Sequence, residues 1–282
     1  MSEPVTCRKA IIPVAGYGTR RLPITKAVEK CMLPVGNRPI VDYVVEDCIK
    51  AGIEEFYFVV GEEFAQLKRY YGRNLLLEEY LRAKGKTDEL GEILALSEKA
   101  TFHYVVQDQH QPYGTTTPLW LCRAMIGRGE SFLFISGDQF YHNPDGTSEV
   151  AHFLAEVNKL PVQTAMKVVE VPHEEVYKYG IVKCREKDGY DVLDSIVEKP
   201  TVEEAPSNLN NATFFLFNDG IFHYAEKDMI RPHEGEYYIT DVVTDCANDG
   251  NDVAVIKAKG EYLDGGTTEG WLHANNRVLG NK

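Results

Sequence analysis

Short apolar runs alternate along this chain with segments whose apolar residues recur every three or four positions. KAIIPVAG (9–16) is an apolar run closed by glycine, the pattern of a buried strand feeding a loop. PIVDYVVEDCIKAGI (39–53) has helical spacing and stops at Ala51-Gly52. EFYFVVGE (55–62) reads as the next strand. Strand, helix and strand within about 50 residues form the βαβ signature of a doubly wound sheet. Residues 63–100 are charged, leucine-bearing and helical in pattern. FHYVVQ (102–107) is a strand, and TTTPLWLCRAMIG (115–127) a helix that tolerates Pro118 in its first turn. SFLFISGDQF (131–140) is a strand ending in a glycine and an acid. SEVAHFLAEVNK (148–159) follows as a helix and QTAMKVVEV (163–171) as a strand. YGIVKCREKDGYDVLDSIVEKP (179–200) reads as a hairpin turning on Asp188-Gly189. ATFFLF (212–217) and VAVIKAKG (253–260) read as strands, YYITDVVTDCAND (237–249) and TTEGWLHANNRVLG (267–280) as helices. No repeat, low-complexity segment or linker interrupts the series. The expectation is a single domain over 1–282. It is α/β and three-layered, with a mostly parallel, twisted, Rossmann-like central sheet and a helical insertion at about 63–100.

Composition narrows this picture without changing it. A hydrophobic fraction of 44% supports a sizeable core. No apolar run approaches the roughly 18 residues of a membrane-spanning helix. The opening MSEPVTCRKAIIPVAG carries charge ahead of a short apolar run, so it reads as a buried strand rather than a leader. Thirty Lys and Arg against 43 Asp and Glu give a net charge of -13, which argues against nucleic-acid or membrane partners. Any polyanion handled here must be small and met by a local cationic site. The six cysteines are spread without a CxxC pair or a Cys/His zinc spacing, as expected of reduced cytoplasmic thiols.

One stretch supplies such a cationic site. VAGYGTRRLPITKAVEKCMLPV (14–35) opens on Gly16-Tyr17-Gly18 and then crowds Arg20, Arg21, Lys26 and Lys30 together. Glycines let backbone N–H groups approach an oxyanion, and arginine or lysine neutralises what charge remains. It is not a Walker A loop, since no Gly-Lys-Ser/Thr follows. It is not a dinucleotide fingerprint either, since position 21 is arginine. Arg21 and Lys26 read as solvated surface charges. Asp138 follows FLFIS and Gly137 at a strand's carboxyl end, where open α/β sheets place ligands. A carboxylate there is costly unless it meets a cation, and Mg²⁺ favours such a hard ligand.

The longer string A-G-x-G-T-R-x-x-P-x-T-K-x-x-x-K-x-x-L-P-V resembles the opening signature of the sugar-1-phosphate nucleotidyltransferases. Other motifs of that family recur in order: VVQDQHQPYG (105–114), FISGDQF (134–140), YG (179–180), VEKP (197–200), APSNL (205–209), GEYYITD (235–241) and YLDGGTTEGW (262–271). The resemblance runs from about residue 8 to 278. It is strongest to the bacterial uridylyltransferases acting on glucose 1-phosphate, which carry a comparable helical insertion. It implies nucleotide binding by the backbone of Ala15, Gly16, Gly18 and Thr19, with Gln107 and Gly114 reading the base. It implies charge stabilisation by Arg20 and Lys30, Mg²⁺ on Asp138 and Asp264, and sugar-phosphate binding by Gly180, Glu198 and Lys199. The substrates so implied are UTP and glucose 1-phosphate, and the assembly a homo-oligomer. Three positions depart from the family: Glu29-Lys30-Cys31 stands for Pro-Lys-Glu, Thr213 for a glycine near the sugar, and Thr268 for a lysine.

Such a reaction needs no general base, so the histidines, including His103, His110 and His142, read as structural or surface residues. Tyr237-Tyr238 reads as packing. Three alternatives stay open: a nucleotidyltransferase using dTTP or another sugar phosphate, a glycosyltransferase of related fold, and a non-catalytic sugar-nucleotide sensor. Against the second stands Gly137-Asp138-Gln139, where an Asp-x-Asp motif is usual. Against the third stand Lys30, Asp138 and Lys199, all retained.

Overall fold

The computed structural model describes residues 5–232 and 235–280. The first glycine-closed run forms β1 (Cys7–Pro13). A small ribbon of β2 (Pro34–Val35) and β3 (Arg38–Pro39) leads into α1 (Ile40–Lys50). Between β4 (Glu55–Val60) and β5 (Thr101–Val106) lies the helical insertion, α2 (Ala65–Tyr71), α3 (Leu75–Ala83) and α4 (Thr87–Glu98). Next come α5 (Thr116–Leu121), β6 (Ser131–Ile135), β7 (Gln139–His142), α6 (Glu149–Val157) and β8 (Thr164–Glu170). The hairpin of β9 (Gly180–Lys187) and β10 (Tyr190–Glu198) turns on Asp188 and Gly189. Both have positive φ, as a two-residue hairpin loop requires. The chain closes with β11 (Leu209–Asn218), α7 (Ile221–Ile230), α8 (Ile239–Asn248), β12 (Val253–Lys257), β13 (Glu261–Asp264) and α9 (Thr268–Val278).

Among the described residues, nine strands form one sheet in the order β5-β4-β1-β6-β11-β8-β12-β10-β9. The half β5-β4-β1-β6 is all parallel. Beyond β6 only β8–β12 is parallel, and β11 runs antiparallel to both neighbours. The expectation of a mostly parallel sheet is therefore corrected: the sheet is mixed. The cause lies in the connections. Helices separate β1, β4, β5 and β6, and a helical crossover returns the chain in the same direction. The tight Asp188-Gly189 loop forces antiparallel pairing, and no helix lies between β10 and β11. Strand β9 also bridges back to β11 through Ile181 and Asn210, curling this half like a barrel.

Alternation along the strands puts a core on each face. Leu133, Ile135, Phe214 and Leu216 pack with α1, α2 and α6. Phe132, Phe134, Phe215 and Phe217 pack with α5, α7 and α8. Each such side chain contributes roughly 1.5–3 kcal/mol by leaving water. Two local features differ from the sequence reading. The run 131–140 breaks at Ser136-Gly137-Asp138. There a side chain on Gly137 would meet Val14 Cγ1 at 2.4 Å, and the chain leaves the sheet so that β7 pairs with β13. Helix α7 has no counterpart in that reading: only Ile221, Ala225 and Asp228 are buried and no side chain caps its start, so its periodic signal is weak.

Candidate active site

The loop after β1 is closed by short hydrogen bonds. Arg21 N donates to Gly18 O at 2.8 Å, and Thr25 Oγ1 donates to the same oxygen at 2.9 Å. Gly18 has φ +63, and a Cβ there would lie 3.0 Å from Thr25 and 3.1 Å from Lys30. Glycine is thus required both by conformation and by space. Glu29 anchors the next turn to the insertion. Its carboxylate accepts from Gln66 N and Leu67 N at the start of α2, and its own N–H donates to Gln66 Oε1. The departure at Glu29 therefore leaves Lys30 on a supported turn, beside the buried Cys31.

Lys30 forms an ion pair with Asp138. Ser136 Oγ donates to the other carboxylate oxygen at 2.5 Å. Burial alone would raise the Asp138 carboxyl; Lys30, Ser136 and Arg20 outweigh it and hold the group below the usual aspartate value. Gly265 N donates to Asp138 O at 3.0 Å. The β7–β13 ladder sets Asp264 opposite Gln139, next to Asp138 in sequence. Gly266 marks where the charged groups meet: a Cβ there would lie 2.8 Å from Asp264 Oδ1 and 3.4 Å from both Arg20 Nη2 and Lys30 Nζ. Burial, then the neighbouring Asp138, raise the Asp264 carboxyl. Two hard carboxylates, one of them destabilised in its charged form, could hold a divalent metal ion, with phosphate oxygens and water completing its shell.

A cavity of about 870 Å³ opens beside this cluster. Ala15, Gly16, Lys30, Gln107, Gly114 and Asp138 line it. Gln107 sits just past β5, fixed by Gln107 N donating to Val60 O at 2.8 Å. Gly114, at φ +136, lies so close to the next chain segment that a Cβ would fall 2.2 Å from Tyr237 O. Thr116 N donates to Tyr237 O and Tyr237 N donates to Tyr113 O, so the two segments are stitched together through their backbones. The sugar-phosphate candidates Gly180, Glu198 and Lys199 do not line this cavity; they gather at the start of β9 and the end of β10. Gly180 pairs with Glu198 across the β9–β10 ladder. Thr240 Oγ1 donates to Glu198 Oε1 at 3.3 Å, and burial raises the Glu198 carboxyl. Lys199 N donates to Tyr179 O at 2.9 Å. Burial and then Asp264 raise the Tyr179 phenol, which links this side to the carboxylate pair.

Arg21 departs from the surface reading. It is only 7% exposed, donates to Thr267 O at 2.6 Å and lies 5.2 Å from the centre of the Trp271 ring. It ties the glycine loop to the start of α9. Thr268, in place of a lysine, is exposed on that helix. Lys26 lines the cavity. Sequence reasoning missed Ser136 and Thr25. A small hydroxyl two residues before Asp138 was the available signal for the first; the second has no local signal.

A family model described as nucleotidyl transferase matches residues 9–281. The chain belongs to that family. Its members act as enzymes of nucleotidyl transfer, and so does this one. The UTP–glucose-1-phosphate uridylyltransferase of Pseudomonas aeruginosa is 34% identical over 271 residues, which cover 95% of each chain. A solved structure described as UTP-bound UGPase from Acinetobacter baumannii superposes with a TM-score of 0.86 at 29% identity. The match covers 97% of this chain and 93% of that one. A UDP-glucose pyrophosphorylase complexed with UDP-glucose gives 0.84 at 29% identity, over 98% and 100% of the two chains. No helix among the described residues of this nucleotidyl transferase is long and apolar enough to cross a membrane.

Proposed function

We propose that this nucleotidyl transferase is a UTP–glucose-1-phosphate uridylyltransferase, making UDP-glucose and pyrophosphate. The observation that carries the site assignment is the meeting of Arg20, Lys30, Asp138 and Asp264 around Gly266, beside a cavity large enough for a nucleotide. The backbone of Ala15, Gly16, Gly18 and Thr19 holds the nucleotide, and Gln107 with the Gly114 backbone reads the base. Gly180 and Glu198 bind the sugar, and Lys199 orients its phosphate. An oxygen of that phosphate attacks the α-phosphorus of UTP in line. The new P–O bond forms as the bond to the β-phosphate oxygen breaks, and its electron pair leaves with pyrophosphate. The attacking oxygen is already ionised, so no general base is required. Arg20 and Lys30 neutralise charge gathering on the leaving group, so that catalysis is positioning and electrostatics. A divalent ion, for which Asp138 and Asp264 are suited and Mg²⁺ is our choice, supplies further charge neutralisation when bound.

The reading takes residues 1–282 as one functional domain. It includes a cytoplasmic homo-oligomer without nucleic-acid or membrane partners. The six cysteines are all free, in keeping with a reducing compartment. The test is pyrophosphate release with Mg²⁺, crossing UTP, dTTP, CTP, ATP and GTP with the 1-phosphates of glucose, galactose, mannose and N-acetylglucosamine. Fast release with UTP and glucose 1-phosphate alone is the expected result. Fast release only with another pair would replace the substrates. Release with no pair would overturn the reading.

A further inference from the structure

Thr213 sits in a backbone conformation its side chain resists. Its φ is +46, in the left-handed region that β-branched residues rarely enter. The strain is local to the bulge in β11, where the register with β8 shifts between Asn211 and Phe215. Neighbours hold it there. Asn211 Oδ1 accepts from Thr213 N at 3.1 Å, and Thr213 O accepts from Ser136 N at 3.0 Å. Ser136 in turn donates to Asp138. A glycine would adopt the same turn without cost and keep both backbone hydrogen bonds.

Position gives the strained side chain a use. Thr213 lines the large cavity beside Gly137 and Asp138. In the sheet, β1, β4 and β5, which carry the nucleotide-side loops, lie on one side of β6. Strand β11 lies on the other and bridges to β9, whose first residue is Gly180. Thr213 therefore lies on the strand that joins β6, which leads into Asp138, to β9, which begins at Gly180. Strain held in place by its surroundings and turned toward a ligand cavity points to a role in that cavity.

We propose that Thr213 sets sugar specificity: its side chain fills space that a glycine would leave open and excludes sugar 1-phosphates with a bulky ring substituent. The inference rests on the uridylyltransferase reading above. If Thr213 only propped up Ser136 and Asp138, glycine would do the same, because both contacts run through the backbone, and the sugar ratio would not change.

The test compares wild type with Thr213→Gly and Thr213→Ser, measuring kcat/KM for glucose 1-phosphate and for N-acetylglucosamine 1-phosphate at saturating UTP. Thr213→Gly is expected to shift the ratio at least about tenfold toward the N-acetylated sugar, the scale at which a pocket senses a small group. The KM for UTP should stay within about twofold on the same scale. Thr213→Ser, which loses only the methyl, should fall between the two. Thermal melting of the glycine variant at or above the wild-type temperature is expected, since the substitution removes backbone strain. Wild-type turnover of glucose 1-phosphate with an unchanged sugar ratio in Thr213→Gly would overturn this inference alone. Absence of wild-type turnover with every sugar would overturn it together with the reading it rests on.

Discussion

Lys30 carries two demands. In this structure it neutralises Asp138, and in the proposed reaction it meets the phosphates of the leaving group. Lys30→Ala should lower kcat by about a hundredfold or more, the scale of one preorganised charge contact, with a smaller change in KM for glucose 1-phosphate. Steady-state kinetics on both substrates check this; an unchanged kcat would remove Lys30 from the chemistry. The sequence announced Lys30, Arg20 and Asp138 because their local strings are unusual: cations behind a glycine turn, and an acid ending an apolar strand. It could not announce Arg21. That residue looks like its neighbours in the string, and its partners Thr267 and Trp271 lie some 250 positions away. Ser136 was overlooked for the opposite reason: serine is common, and only its direct bond to Asp138 gives it meaning.

Among the elements, helix α6 is fastened by a buried ion pair that no local pattern reveals. Lys167 on β8 and Glu149 at the first turn of α6 are both fully buried in their side chains and joined at 2.6 Å. Glu149 also accepts from Lys259 N and Gly260 N, so one carboxylate ties β8, α6 and the turn after β12. The Lys167 ammonium lies over the rings of Phe153 and Phe214, the aromatic core of that face. In the strand pattern QTAMKVVEV, Lys167 is an interruption, and the pattern alone would place it in water. Breaking one partner of such a pair strands the other charge in a low-dielectric interior. Lys167→Met alone should cost about 3–5 kcal/mol, and Lys167→Met with Glu149→Gln should recover most of that loss. Urea unfolding of the two variants decides it. Equal destabilisation would mean that the lysine stabilises by its packing rather than by its charge.

At the scale of the whole molecule, the order of the main helices and strands was legible, apart from α7 and the short strands β2, β3, β7 and β13, but the direction of half the strands was not. Apolar periodicity reports which residues are buried, and it says nothing of which strand lies beside which. The parallel half follows from its helical connections, whereas the mixed half depends on β11 inserting between β6 and β8, a long-range choice. The same long-range contacts set how stability responds to acid. Asp42 is 1% exposed on α1 and gathers Arg38, Tyr70, Tyr71 and Lys99, so that α1, α2 and the end of the insertion share one carboxylate. Burial would raise its pKa, but Lys99 and Arg38 outweigh burial and lower it below 3.8. The sign follows directly. As pH falls through 3.8 the unfolded chain takes up the proton before the folded one does, so this contribution is complete above 3.8 and is lost below it. Asp47, Asp264 and Glu198 are raised and act in the opposite sense, so the total slope alone does not isolate Asp42. The comparison with Asp42→Asn does. At neutral pH the variant should be less stable by about 1.5–3 kcal/mol, the usual worth of hydrogen bonds to a charged group. As pH drops below 3.8 the two proteins should converge, because wild type then loses what the variant already lacks. Urea midpoints across that range measure the gap. A gap that stays constant with pH would mean that the Asp42 cluster holds the insertion through shape and neutral hydrogen bonds, not through its charge.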